Sequence, residues 1–274
     1  MDSTTGMASG TDRIAEAFAR ARANGRRAAL MPYLMGGYPD PETSRRIGRA
    51  YLDAGADLIE LGVPFSDPLA DGPVIHAAAT AALAAGATLP AVLAIGQELA
   101  RQVPVVVMCY SNPIYARGLE RFLDSLAAAG ISGLIVPDMP REEAADVRAA
   151  CAQRGLALVP LVAPTTPDDR LQAIGAAATG FVYTVSLTGT TGERASAAGA
   201  DLAPLVARVA ARTEVPVAVG FGIGTPEQAA AAAAAGAEGV IVGTRLVRAA
   251  GEADDPPAAV AELIRGFAAA LAEA

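Results

Sequence analysis

The chain has 274 residues, 53% of them hydrophobic, which suits one α/β barrel of about 250 residues better than two domains. Its formal net charge of −8, with no basic stripe, argues against nucleic acid as a partner, although clustered backbone N–H groups can still hold a small anion. No apolar run approaches the length of a membrane span, and MDSTTGMASG lacks a basic segment followed by an apolar one; the reading is a cytoplasmic protein with no membrane partner and a flexible N-terminal tail over residues 1–11.

Beyond the tail, one domain is expected over residues 12–274. A helix over 12–24 precedes the first apolar run. From there short apolar runs alternate with longer Ala-rich amphipathic stretches, the pattern of a parallel sheet covered by helices. Strands are predicted at 28–34, 58–61, 103–108, 133–136, 157–162, 181–185, 217–219 and 239–242, eight in all. Helices are predicted between them at 41–54, 89–102, 118–129, 141–154, 167–177, 202–212 and 225–235, with 256–274 closing the series and a short extra helix at 76–85. Several of these open on Pro or an acidic pair and end in Gly, as at Gly55, Gly130, Gly155 and Gly236. The repeated Ala-Gly turn before strands favours a closed (β/α)8 barrel over a doubly wound sheet, with the first helix covering its floor and long active-site loops after strands two and six.

In such a barrel, chemistry gathers at the carboxyl ends of the strands. Glu60 lies within the apolar run LIELGV, where burial raises its pKa and equips it to donate and accept protons; a structural Glu capping a neighbouring loop is the alternative. The stiff loop GVPFSDPLADGP carries Asp67 and Asp71, able to face the same pocket as Glu60 or simply to make Asx turns beside proline. VGFGIGTPEQ and VGTRLV place glycines after strands seven and eight, where backbone N–H groups and a short helix from Thr244 form a phosphate site in many barrels. The stretch SLTGTTGERASAAGADL reads as a lid in which Thr190, Thr191 and Gly192 offer donors. His76, the only histidine, reads as structural or surface, which leaves neither a Ser-His-Asp triad nor a histidine-rich metal site; Cys109 and Cys151 read as buried thiols, and no metal is expected.

The segments IELGVPFSDPLADGPVI, NPIYARG, LIVPDMP, the TGTTG loop, VGFGI and VGTRLV, in order from Met31 to Arg248, resemble the tryptophan synthase α subunit family, a lineage of TIM barrels. The resemblance implies retro-aldol cleavage of indole-3-glycerol phosphate to indole and glyceraldehyde 3-phosphate, a step of tryptophan biosynthesis. Glu60 would protonate indole C3 and take the glycerol hydroxyl proton, Asp71 would accept the indole N–H, and Tyr183 would orient the two carboxylates. Phosphate would be held by Gly192, Gly222, Gly243 and Thr244, the indole by Tyr33, Met108, Ile135, Val162 and Phe221, and Thr191 would link the closed lid to Asp71. It also implies no cofactor in this chain, and a pyridoxal phosphate β subunit as partner in an αββα heterotetramer. Pro64, Asp67 and the 112–118 loop would lie near that partner. Thr244, Met35 and Leu187 stand where serine, threonine and arginine are common in the family; the first keeps the hydroxyl. A standalone lyase, a catalytically silent barrel that activates a β subunit, and a phosphosugar isomerase are the other readings; intact Glu60 and Asp71 argue against the silent barrel, and the isomerase gives no reason for FSDPLADGP.

Overall fold

The computed structural model describes residues 8–185, 202–220 and 222–273. Every strand pair among them is parallel, and β1 (Ala29–Met35) sits at the middle of the sheet order, flanked by β2 (Ile59–Gly62) and β9 (Gly239–Val242). From β2 the sheet runs through β3 (Val105–Met108) and β4 (Gly133–Ile135) to β5 (Ala157–Leu158). From β9 it runs through β8 (Val217–Gly220) and β7 (Val182–Val185) to β6 (Leu161–Val162).

The two ends meet in one short piece of chain. The fifth stave, expected as one strand over 157–162, is split at Pro160, which has no N–H for a ladder. Its first half pairs with β4 and its second with β7, and the joint is stitched on both sides: Val159 N donates to Leu134 O at 2.9 Å and Tyr183 N donates to Pro160 O at 2.9 Å. The outcome is the (β/α)8 barrel with one stave in two pieces.

Alternation along the strands sorts the core into layers. Ala29, Met31, Leu58, Val106, Ile135, Val159, Tyr183, Ala218 and Ile241 form the interior cluster. Their neighbours Leu30, Ile59, Leu61, Val107, Leu134, Val182, Val219 and Val240 form the outer layer that carries the helices. Helix α1 (Gly10–Ala23) plugs the floor: Ile14, Phe18 and Ala21 join the interior cluster, and the Phe18 and Phe181 rings lie 6.1 Å apart. It begins two residues earlier than expected because Ser9 and Asp12 form a capping box. Arg13 pins it by donating to the carbonyls of Ala100, Val103 and Gly130.

The helices between strands are α2 (Pro41–Asp53), α3 (Pro73–Ala84), α4 (Leu89–Leu99), α5 (Ser111–Arg117), α6 (Leu119–Ala128), α7 (Ala145–Gln153), α8 (Asp168–Ala176), α9 (Leu202–Ala210), α10 (Pro226–Ala234), α11 (Thr244–Glu252) and α12 (Pro256–Glu273). The four glycines expected to end helices do so with φ of +100, +70, +65 and +98° at Gly55, Gly130, Gly155 and Gly236, a region L side chains avoid. Helix α5 was not expected. Its first turn is held from a distance, Asp138 accepting from Ser111 N at 2.9 Å and Ser111 Oγ at 2.6 Å, so the local sequence does not announce it. The stretch expected as one helix from 141 opens instead on a 3-10 turn over Arg141–Glu143. Among the described residues no single helix is long and apolar enough to cross a membrane.

Candidate active site

Glu60 follows Leu58 on the interior parity of β2, in register with Tyr33 on β1 and Val106 on β3. It is 2% exposed, and among the described residues neither carboxylate oxygen has a hydrogen-bond partner. A capping role would require such a partner, and the described residues supply none. An ionised carboxylate without donors is costly in this setting, and burial, helped by the charge of Asp71, pushes the Glu60 carboxyl up to about 8. It therefore holds a proton near neutrality, the state required of a general acid.

Asp71 reaches the same chamber from the loop between β2 and α3. Burial raises its pKa, but a hydrogen bond from the Tyr110 hydroxyl and the nearby imidazole of His76 pull it back toward the charged form. The two carboxyls thus have different environments, Glu60 with no donor among the described residues and Asp71 with one, the kind of contrast that pushes the pKa values of two acids apart. His76, expected as structural or surface, is exposed on the first turn of α3 but acts on Asp71.

Sequence reasoning did not name Tyr110. It shares interior parity with Val106 and Met108, two residues past the end of β3, and is 4% exposed. Its hydroxyl also accepts from Ala70 N at 3.0 Å, and its ring lies 5.3 Å from that of Phe65. One side chain therefore grips the β2–α3 loop at both ends. Asp67, by contrast, is exposed and among the described residues accepts only from Ser66 Oγ at 2.5 Å, beside Leu69 at 84% exposure.

Tyr33, in register with Glu60 on the neighbouring strand, and Tyr183 on β7 are 6% and 4% exposed. Burial raises both hydroxyl pKa values, and the charges of Glu60 and Asp71 add to it, which keeps both phenols protonated. Their hydroxyls fit because two strand ends lack side chains. A Cβ on Gly62 would lie 2.0 Å from Tyr33 Oη, and one on Gly220 would lie 2.5 Å from Tyr183 Oη. Neither glycine was singled out from sequence, since their role is steric and toward distant tyrosines.

Met108 and Ile135 line the same interior as Tyr33, and Ile75, Ala78, Ala79 and Ala82 of α3 roof it together with Met35 and Val247. Val162 does not belong to this group. It packs in the outer layer with Leu158, while Leu161 joins Ala157 and Val159 in the interior, so the alternation runs unbroken through Pro160 and puts Val162 outside. Gly243 precedes α11 and caps it without a side chain, leaving the first N–H groups of Thr244 and Arg245 open beside Tyr33. Gly222, at φ +81°, lies in the loop between β8 and α10. Thr190, Thr191, Gly192, Leu187 and Phe221 lie outside the described residues.

The family model for the tryptophan synthase alpha chain matches residues 18–273. The chain belongs to the tryptophan synthase alpha chain family. It is 50% identical over 236 residues to the tryptophan synthase alpha chain of Synechococcus elongatus, covering 85% of this chain and 88% of that one. Among solved structures, Mycobacterium tuberculosis tryptophan synthase superposes with a TM-score of 0.87 at 41% identity, covering 97% and 99% of the two chains. A chain of the tryptophan synthase α2β2 complex of Pyrococcus furiosus gives 0.78 at 36%, covering 87% and 97%. Against the family's common threonine, Met35 is 3% exposed and its sulfur lies 3.9 Å from Tyr33 Oη, so this departure acts on a pocket tyrosine.

Proposed function

We propose that this chain cleaves indole-3-glycerol phosphate to indole and glyceraldehyde 3-phosphate, with Glu60 as the acid and base and Asp71 as the anion facing the indole nitrogen. One observation carries the reading: a buried carboxyl without hydrogen-bond partners among the described residues, held up at about 8, beside a second carboxyl that has a donor. Protonation of indole C3 generates positive charge on the ring, and Asp71 lies on the side where that charge develops. Tyr183 and Tyr33 position the carboxyls and wall the ring with Met108 and Ile135. The open N-terminus of α11 behind Gly243 and Thr244, with Gly222, suits a phosphate; Gly192 is assigned to the phosphate and Thr191 to the lid by the family resemblance.

The family works with a β subunit. We place this chain in an αββα assembly in the cytoplasm, with pyridoxal phosphate confined to the β partner and no cofactor in this barrel. Exposed Leu69 and Tyr115, on the loop after β2 and on α5, support a docking face around the mouth.

The test is steady-state cleavage by the purified chain, with and without a β subunit, for wild type and Glu60→Gln. Cleavage that rises with the partner and falls by about 10²- to 10⁴-fold in the variant is expected for loss of a general acid. Fast cleavage independent of the partner would make the chain a standalone lyase. Absence of cleavage in both conditions would leave a binding barrel.

A further inference from the structure

A cleft at the carboxyl ends of β4 and β6 is lined by none of the carboxyls assigned to this chemistry. It lies between α7 and α8 over the split fifth stave, encloses about 390 Å³, and is lined by Arg141, Arg148 and Arg170 above an apolar floor that includes Leu158 and Ile174. Clefts of roughly 300–1,000 Å³ hold small ligands. Three guanidinium groups around one opening stand out in a chain of net charge −8. Only Arg170 is engaged, donating to Glu142 at 2.6 Å in an exposed pair of the kind worth little. Among the described residues Arg141 and Arg148 have no carboxylate partner.

The backbone adds to this charge. Helices α7 and α8 both begin without a side-chain cap, at Ala144 and Pro167, and both of these residues line the cleft. Two helix N-termini with open N–H groups therefore stand at the same opening, each with its partial positive charge. The carboxylates of their first turns, Asp146, Asp168 and Asp169, oppose it, but Asp168 is taken by Arg208 and Arg212 at 3.6 and 3.1 Å.

We infer that this cleft binds a small organic anion, a carboxylate on a compact apolar body, with the carboxylate between Arg141 and Arg148 and the body on Leu158 and Ile174. The forked guanidinium matches a carboxylate in two hydrogen bonds, and the apolar floor gives it an advantage over a bare inorganic anion. The binding is read without turnover, so its failure and the failure of the lyase assignment are separate results.

The experiment titrates the isotope-labelled full chain with benzoate, neutral benzamide and inorganic phosphate, following backbone amide resonances. Benzoate is expected to shift amides of residues 141–148 and 165–174, phosphate to do so more weakly, and benzamide not at all. Arg141→Gln with Arg148→Gln should weaken benzoate by about tenfold or more, the loss expected when charge-assisted bonds go. The remote Arg22→Gln should leave it unchanged, and cleavage of indole-3-glycerol phosphate should survive the double substitution. Equal response to benzoate and benzamide, shifts confined to the Gly243 end of the barrel, or unchanged affinity in the double variant would overturn the assignment. So would a double variant that only loses assembly with a β subunit, which would give the cleft to a protein partner.

Discussion

Replacing Glu60 by Gln tests the central electrostatic claim without any substrate. The carboxyl titrates at about 8 in the fold against an ordinary 4.5. Between those values the folded chain holds a proton that the unfolded chain has lost, so this group's contribution is fully present below 4.5 and gone once the pH has passed 8. The slope is about 1.4 kcal/mol per pH unit, so the stability of wild type relative to Gln should fall by about 3 to 4 kcal/mol between pH 5 and pH 8. Gln is of similar size and does not titrate. Its own cost as a buried amide is the same at both pH values, and the titration of the remaining groups largely cancels in the difference. Urea unfolding of both proteins at pH 5 and pH 8, followed by circular dichroism, measures the quantity directly. Stability differences that stay constant across that range would show that Glu60 is ionised in the fold, and the acid role assigned to it would go with them.

Other consequences can be checked with the same proteins. Because Glu60 must carry its proton to act as an acid, kcat should decline above about pH 8, and a profile flat to pH 10 would contradict this. Tyr110→Phe removes the donor to Asp71 and the acceptor for Ala70 N; kcat/KM should fall by about tenfold and the Ala70 amide should exchange faster, whereas unchanged exchange would mean the loop is held elsewhere. Gly62→Ala puts a Cβ 2.0 Å from Tyr33 Oη, and the displaced ring should cost about 1–3 kcal/mol in urea unfolding together with activity; an unaffected variant would refute the tight fit.

What the sequence disclosed and what it withheld follow from the range of the forces involved. The parity of Glu60 was readable because Leu58, Glu60 and Gly62 alternate with Ile59 and Leu61 without a break, and a parallel strand buried on both faces tolerates an acid only where it is used. Val162 was given to the indole pocket by the family resemblance, whereas the alternation Ala157, Val159, Leu161, which continues through Pro160, puts it in the outer layer. Helix-ending glycines were legible because the left-handed turn is a local demand. Helix α5 was not, because its cap comes from Asp138, 27 positions along the chain. Gly62 and Gly220 carry no local signal either; each is small for the sake of a tyrosine on the paired neighbouring strand.

Tyr110 shows where that boundary lies. Its inward direction could have been deduced by continuing the alternation of Val106 and Met108 two residues further. Its grip on Asp71 could not, because that depends on how a proline-stiffened loop folds back over the mouth. The acid at the bottom of the chamber is thus specified by strand periodicity, which one segment encodes. The anion at its rim is specified by a tertiary hydrogen bond, which two segments must agree on. Their different environments come from this difference in origin: an interior strand position offers Glu60 no donor, whereas a loop held by a tyrosine brings Asp71 its donor with the same contact that fixes its place.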